Sequence, residues 1–298
     1  MALSERRKGE WYIFFGTFLG GFFPVITVLS FETVPSLISL GWCTLIAALF
    51  FGIIVTYKRR WGELGDPRLW RYVFYITVSI SILYYGLFFI GLTKTLPGNA
   101  AIIDLFAVFT TFVFFNVLRG EHISSSYKVG ALLMVIGACI VLARDFSGVN
   151  VGDVLILAAT ACVPIGNLFQ QKARLIASSE TILFLRSILA APVIFVLAYA
   201  FDQHASFADL RGSALFLLVN GILILGLSKI FWIEAIHRIP VTKGQALSSA
   251  APLVTLLFAW LLLNQAPNVW QLASLIPLIL GILLLTDHLK LPKSSRGA

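Results

Sequence analysis

The feature that most constrains this chain is a series of ten apolar segments separated by short polar breaks. An α-helix of about 20 apolar residues spans the hydrocarbon of a bilayer, and most of these segments are close to that length. They predict ten transmembrane helices. The segments are residues 11–29, 35–57, 72–92, 98–118, 127–143, 154–170, 181–201, 213–236, 242–263 and 269–286.

Composition agrees with a membrane protein. Of the 298 residues, 59% are hydrophobic and 12% are charged, and the mean hydropathy is +0.92. A soluble domain carries about 25% charged residues and lacks the interior to bury so much apolar surface. Strands of a membrane β-barrel alternate apolar and polar residues, and these segments do not. We therefore expect an all-α polytopic membrane protein with no nucleic-acid partner, although the net charge is +8.

A long internal repeat organises the ten segments. Residues 97–142 and 241–286 each contain an apolar run, a short polar break, and a second apolar run with a late glycine. An offset of 144 residues aligns them and sets Gly137 against Gly281. Repeats of this length are typical of transporters built from one membrane unit used twice.

The second unit is predicted to be inverted relative to the first. A polar break at residues 145–152 divides the chain into units 1–147 and 148–298, with five helices in each. Because five is odd, the second unit crosses the membrane in the opposite sense. The predicted fold is therefore ten transmembrane helices arranged as two inverted five-helix repeats.

Basic residues predict the orientation. Of the 22 Lys and Arg residues, 17 fall in the terminal and connecting segments on the side of the amino terminus. Cytoplasmic segments carry the excess of Lys and Arg. We expect a multi-pass protein of the bacterial plasma (inner) membrane, a monomer with both termini cytoplasmic. The first apolar run is too long for a signal peptide, and no small-residue cleavage site follows it.

The sequence resembles the EamA-type transporters of the drug/metabolite transporter superfamily over nearly its whole length. In that family, the fourth helix of each unit has a central Pro and ends at a Gly-Glu pair, and the next helix has a late Gly. An Arg is common early in the second helix of a unit. Matching residues are Gly120, Glu121 and Gly137 in the first unit and Pro252, Gly281 and Arg186 in the second. Departures are Val108 in place of Pro, Gln265 in place of Glu and Trp42 in place of Arg. The resemblance implies secondary transport of small metabolites, often export, with amino acids, nucleobase-like compounds and drugs among the substrates.

Asp104 is the first candidate for the site. It lies about two turns into the fourth segment, among apolar residues. A carboxylate at that depth costs several kcal/mol if charged and unpaired, so it must face water, a cation or a proton source. We hypothesise that it lines a central site and either binds a cationic group or couples transport to protons. The alternative is a hydrated carboxylate paired with Lys94.

Lys229 is the second candidate, about two turns from the inner end of the eighth segment. Its ammonium group would hold a substrate carboxylate. Asp104 lies in the other half of the membrane, roughly 10 Å away along the normal, so a zwitterion bridging the two is easier than a direct pair. The alternative is a lysine that extends to the headgroups.

Aromatic and amide residues complete the predicted substrate site. Tyr85, Phe88 and Trp232 are candidates for an aromatic wall, with core packing as the alternative. Asn167 and Gln170 need hydrogen-bond partners in hydrocarbon and suit a cavity. Pro24 and Pro164 interrupt equivalent helices, and broken helices expose backbone groups near substrate sites. Arg186 and Glu234 are expected to lie at the membrane interface.

These features predict a secondary active exporter of small metabolites, amino-acid-like or drug-like, working by alternating access through a midplane cavity. The cavity is expected between helices 1, 3, 4, 6, 8 and 9. A proton or another cation would couple transport, and no cofactor, metal or nucleotide motif is present in the sequence. The alternatives are an importer and a non-transporting membrane scaffold or sensor. An enzyme is not expected, because the titratable residues are scattered.

Overall fold

A computed structural model describes residues 5–117, 125–142 and 150–285 together with Leu289. Within these ranges the chain is helical and contains no β-strand. Ten helices coincide with the ten predicted segments, so the predicted fold class is confirmed. Their bounds are Glu5–Ser30 (α1), Ser36–Tyr57 (α2), Pro67–Leu92 (α3), Pro97–Phe115 (α4), Ser125–Leu142 (α5), Val151–Arg174 (α6), Ser179–Ala200 (α7), Ala214–Arg238 (α8), Val241–Leu263 (α9) and Val269–Leu285 (α10).

Eight of these helices are long and apolar enough to cross a membrane, while α5 and α10 are shorter. The predicted polar break at residues 119–124, the junction of the units at residues 147 and 148, and the basic residues 290–296 lie outside the described residues. The connections that the structure describes are short. They include a 3₁₀ turn at Trp61–Gly65 and a one-turn helix at Phe207–Gly212.

Side chains and prolines mark where helices begin. Asn150 accepts a hydrogen bond from the Gly152 amide at 2.7 Å at the start of α6, and Ser178 caps α7 by accepting from the Thr181 amide. Pro97 occupies the first turn of α4. The first amides of a helix have no partner within the helix, so these caps satisfy them or, with proline, remove one.

The shortest helices, α5 and α10, pack against each other along their length. A Cβ atom at Gly137 would overlap Leu278, and one at Gly281 would overlap Met134. The two glycines are repeat-equivalent, so each helix offers its glycine to a bulky side chain of the other. The late glycine that marks each repeat therefore allows the close contact between the repeats.

Three pairs of equivalent helices depart from regular α-helix at matching places. The first unit has a turn at Phe22 in α1, a π-helical segment Thr77–Tyr84 in α3 and a break at Leu105 in α4. The corresponding features of the second unit are a turn at residues 161–162 in α6, a π-helical segment Asn220–Leu227 in α8 and a 3₁₀ turn Ser248–Ala250 in α9. Pro24 and Pro164 directly follow the first pair, where the sequence predicted interruptions.

One end of the bundle, here called the basic face, carries Lys58, Arg60, Arg174 and Arg238. The carboxylate of Glu234 on α8 accepts hydrogen bonds from Arg174, from Arg238 and from the Ser179 hydroxyl, which joins α6, α7 and α8. Glu180 on α7 pairs with Lys58 at 2.5 Å and with Arg60 at 3.1 Å. Charge pairs therefore connect the two units at this face.

The other end, here called the opposite face, is joined by hydrogen bonds, one of which the Thr95 hydroxyl donates to the carboxylate of Asp153. Gln271 donates to Asn99 at 2.7 Å, the Leu37 amide donates to Gln203 at 2.8 Å, and Asn150 donates to the Lys94 carbonyl at 2.7 Å. These hydrogen bonds hold the two units together at the opposite face.

Candidate functional site

A cavity of about 170 Å³ lies between the two units. Its walls come from α1, α3, α4, α6, α8 and α9, the six helices expected from the sequence, and also from α7. On α1 the lining runs from Tyr12 to Phe23, which is about 16 Å of helix. The cavity therefore extends from the middle of the bundle toward the basic face.

The irregular helix segments place polar residues in these walls. The π-helical segment of α3 ends at Tyr84, so that Tyr84 and Tyr85 face the cavity, and that of α8 ends just before Ser228 and Lys229. Asp104 is the last residue before the break in α4. Segments of π-helix are rare and frequently occur at functional sites.

The carboxylate of Asp104 faces the cavity and accepts a hydrogen bond from the Tyr84 hydroxyl at 3.1 Å. In the part of the chain that the structure describes, no cation lies within 4.0 Å of it, Lys94 included. One phenol does not compensate a carboxylate in hydrocarbon, so the group depends on water, a proton or a bound cation.

Lys229 lines the same cavity, with its ammonium nitrogen 5.9 Å from the centre of the Tyr85 ring. A cation over an aromatic face is stabilised by the ring quadrupole. The rings of Tyr84 and Tyr85 are in contact at 5.0 Å, and no ion pair joins Lys229 to Asp104 among the described residues. A continuous row of side chains, Asp104, Tyr84, Tyr85 and Lys229, therefore lines the cavity with a negative and a positive end.

Asn167, Gln170 and Trp232 form an amide cluster on another wall. The Asn167 carbonyl accepts from the Gln170 amide at 3.2 Å and from the Trp232 indole at 3.0 Å. Asn167 and Gln170 are each 2% exposed, yet the Asn167 amide nitrogen and the Gln170 carbonyl oxygen have no partner. The cluster thus offers one free donor and one free acceptor beside the cavity.

Phe88 is not part of the cavity lining. It is 1% exposed and packs behind the wall, with ring centres 5.0 Å from Phe23 and 5.8 Å from Tyr84. Both of those neighbours do line the cavity. Phe88 therefore supports the wall and does not face it.

Arg186 differs from its expected position at the membrane interface. It is 3% exposed and lines the cavity, because that side of α7 packs against the π-helical segment of α3 and leaves no route to the surface. Other lining residues absent from the predicted set are Tyr12, Thr17, Gln245 and Ser248.

No group of three or more His, Cys, Asp or Glu residues that would hold a metal ion occurs among the described residues. The cavity is instead lined by one carboxylate, two cations, three tyrosines, three side-chain amides and several hydroxyl groups. Such a set suits recognition of a small charged or polar solute.

Comparison with known families agrees with the repeat and with the membrane fold. The model of the EamA-like transporter family matches residues 7–143 and, a second time, residues 150–287. The chain belongs to the EamA-like transporter family. It is therefore a multi-pass membrane transporter of the drug/metabolite transporter superfamily, with one family unit in each half.

Curated relatives of this EamA-like transporter are themselves described only as uncharacterized transporters. One from Synechocystis sp. is 24% identical over 233 residues, which cover 72% of this chain and 64% of the relative. The chain thus spans less than two thirds of that protein's length. The protein YoaV of Bacillus subtilis is 21% identical over 90% of this chain and 91% of its own.

A solved crystal structure has the same fold as this EamA-like transporter. It aligns with a TM-score of 0.72 at 18% sequence identity, over 95% of this chain and 98% of the other. At that identity the likeness concerns the fold alone.

Proposed function

We propose that this EamA-like protein is a secondary active exporter of small metabolites, amino-acid-like or drug-like, and that its solute binds in the cavity between the two units. The observation that carries the proposal is the presence of Asp104 and Lys229 in one cavity without an ion pair between them. Unpaired ionisable groups at membrane depth mark substrate or ion pathways.

A zwitterionic solute fits the separation of charge. Its ammonium group binds Asp104 and its carboxylate binds on the side of Lys229, so that one molecule compensates both charges of the cavity. The free donor and acceptor of Asn167 and Gln170 hold further polar atoms of the solute. Phe88 has no direct part in this arrangement, whereas Tyr85 and Trp232 contact the solute.

Alternating access is supported by the paired irregularities of the helices. The turns in α1 and α6, the π-helical segments in α3 and α8 and the breaks in α4 and α9 all border the cavity. Such places absorb backbone rotation while the helix ends stay packed. We propose that they are the hinges through which the two inverted units exchange conformations.

Orientation and energy source belong to the same proposal. From the excess of basic residues we propose that the basic face and both termini lie in the cytoplasm of a bacterial cell and that the protein acts as a monomer in the plasma membrane. Asp104 either couples transport to a proton or another cation, or binds the cationic group of the solute directly.

The test is flux through the purified protein in proteoliposomes, with a panel of labelled amino acids and small polar drugs. We expect wild-type protein to move at least one solute, and Asp104→Asn to lower the rate about tenfold or more and change its pH dependence. Asp202→Asn is the matched control, because that side chain is 99% exposed. A solute that binds to the protein but does not cross the membrane would indicate a sensor. Net movement of the solute toward the cytoplasmic side of the protein, against the solute gradient, would indicate an importer. Unchanged flux and pH dependence in Asp104→Asn would disprove the role of Asp104.

A further inference from the structure

Arg186 is a buried guanidinium that the proposed function leaves without a task. Its side chain lines the cavity and is 3% exposed, and its Nε atom has no hydrogen-bond partner. Among the described residues, no carboxylate lies within 4.0 Å of it, and its polar neighbour is the Tyr85 side chain. A cation in this position is costly unless an anion arrives to compensate it.

Two partly buried arginines of the chain illustrate the contrast. Arg174 and Arg238 on the basic face both pair with Glu234. Arg186 has no such carboxylate, although its burial is greater. The structure thus holds a guanidinium in a cavity wall with its counter-charge missing.

The two cations of the cavity converge on one residue. The Lys229 ammonium lies 5.9 Å from the Tyr85 ring centre, and Arg186 is adjacent to the same tyrosine. Asp104 accepts a hydrogen bond from the Tyr84 hydroxyl and forms an ion pair with neither cation. With all three groups ionised, the empty cavity has a net charge of +1, and its positive charge is concentrated around Tyr85.

The chemistry of the missing anion follows from this arrangement. A guanidinium presents a planar fork of donors that matches a carboxylate. A dianionic phosphate fits less well, because Asp104 in the same small cavity repels its second charge. A cavity of about 170 Å³ suits a small solute such as an organic acid or an amino acid.

We propose that Arg186 is the anchor for the carboxylate of the solute, which it binds together with Lys229 beside Tyr85. This inference rests on the proposed transport function and narrows its substrates to carboxylate-bearing solutes. It also excludes amines that lack a carboxylate, because they leave both cations uncompensated.

The first experiment uses wild-type protein and matched probes, and so needs no variant that folds. Each proteinogenic amino acid is compared with its decarboxylated amine and its deaminated acid, as a competitor of flux and as a stabiliser in thermal unfolding. We expect amino acids or deaminated acids to bind and the amines to bind at least about tenfold more weakly. Amines that bind as tightly as the parent amino acids would overturn the anchor.

The second experiment compares Arg186→Gln and Arg186→Lys with Arg174→Gln. If Arg186 is the anchor, Arg186→Gln weakens binding of the carboxylate probe about tenfold to a hundredfold. Arg186→Lys then recovers only part of that loss. The empty Arg186→Gln protein unfolds at or above the wild-type temperature, because an unpaired buried charge has been removed. Arg174→Gln lowers that temperature, because Glu234 loses a partner.

The outcomes separate the two proposals. If Arg186→Gln binds the probes as wild type does, or unfolds at a lower temperature when empty, Arg186 has a structural role and the anchor is wrong. In that case flux that still depends on Asp104 leaves the proposed function intact. If wild-type protein moves no solute at all, the proposed function itself fails.

Discussion

Lys229 and Tyr85 occupy equivalent positions in the two repeats, and they meet in the cavity with the ammonium 5.9 Å from the ring centre. The same offset of 144 residues relates Asp104 to Ser248, and both line the cavity. Each of these two charged residues therefore has a neutral residue at the equivalent position of the other repeat. The backbone is repeated while the charges are not, so that the negative charge comes from the first unit and the positive charge from the second. We therefore expect a zwitterionic solute to bind in one orientation.

Replacement of Lys229 by Gln is expected to lower flux about tenfold or more, because a charge-assisted contact to the solute is lost. Lys229→Arg keeps the charge and should retain part of the rate. The control is Lys172→Gln, since Lys172 makes the same kind of contact, 5.5 Å from the Phe169 ring, outside the cavity lining. Initial rates in proteoliposomes provide the measurement. Equal losses in the two Gln variants would mean that Lys229 acts only through folding.

Gly137→Leu and Gly281→Leu are each expected to destabilise the protein by about 1–3 kcal/mol, because the added side chain cannot fit between α5 and α10. Gly86→Ala is the control, since a Cβ atom there has nothing within 4 Å. Thermal unfolding in detergent measures the effect. A neutral result at both glycines would show that the two helices separate easily, contrary to the packing described above.

Helix positions were the part of this fold that the sequence predicted best. Apolar length marks a transmembrane helix directly, and Pro24 and Pro164 marked the interruptions of α1 and α6 because proline removes a backbone donor. The π-helical segments of α3 and α8 had no such marker. They depend on packing between helices, which a single sequence does not display.

The predicted site residues fared unequally for a related reason. Asp104 and Lys229 stood out because isolated charges are conspicuous in apolar segments, and the structure places both in one cavity. Phe88 had the right residue type and lies behind the wall. Arg186 has a long side chain near a helix end, which usually reaches the headgroups, and only the packing of α7 against α3 prevents that.

Glu234→Gln is expected to lower the stability of the basic face by about 1–3 kcal/mol, because Arg174 and Arg238 both lose a partly buried, charged partner. Asp66→Asn is the control: Arg68, its partner, is 71% exposed, so the change should be under about 1 kcal/mol. The difference is measured by thermal unfolding and by hydrogen exchange at the ends of α6, α7 and α8 that lie at the basic face. Equal effects of the two substitutions would show that the ion pairs of Glu234 stabilise the protein no more than an exposed surface ion pair does.

The hydrogen bonds of Glu63 make the stability of the protein depend on pH. It lies in the turn between α2 and α3 and accepts hydrogen bonds from the Ser178 amide and hydroxyl, each at 2.8 Å, at the start of α7. Burial raises the pKa of Glu63. Hydrogen bonds from Thr181 and Ser178 and the charge of Arg60 lower it by a larger amount, so that the pKa of folded Glu63 is below its ordinary value of 4.5.

Because the folded pKa of Glu63 is the lower one, the unfolded chain takes up the proton first as the solution is acidified. The stabilising contribution of Glu63 is complete above pH 4.5 and is lost as the pH falls through the folded pKa. We expect Glu63→Gln to unfold at a lower temperature than wild type near neutral pH, and to lose less stability than wild type between about pH 6 and about pH 3.5. Asp202→Asn, with its exposed side chain, should follow the wild-type pH dependence. A parallel acid response of wild type and Glu63→Gln would exclude this contact as a source of acid sensitivity.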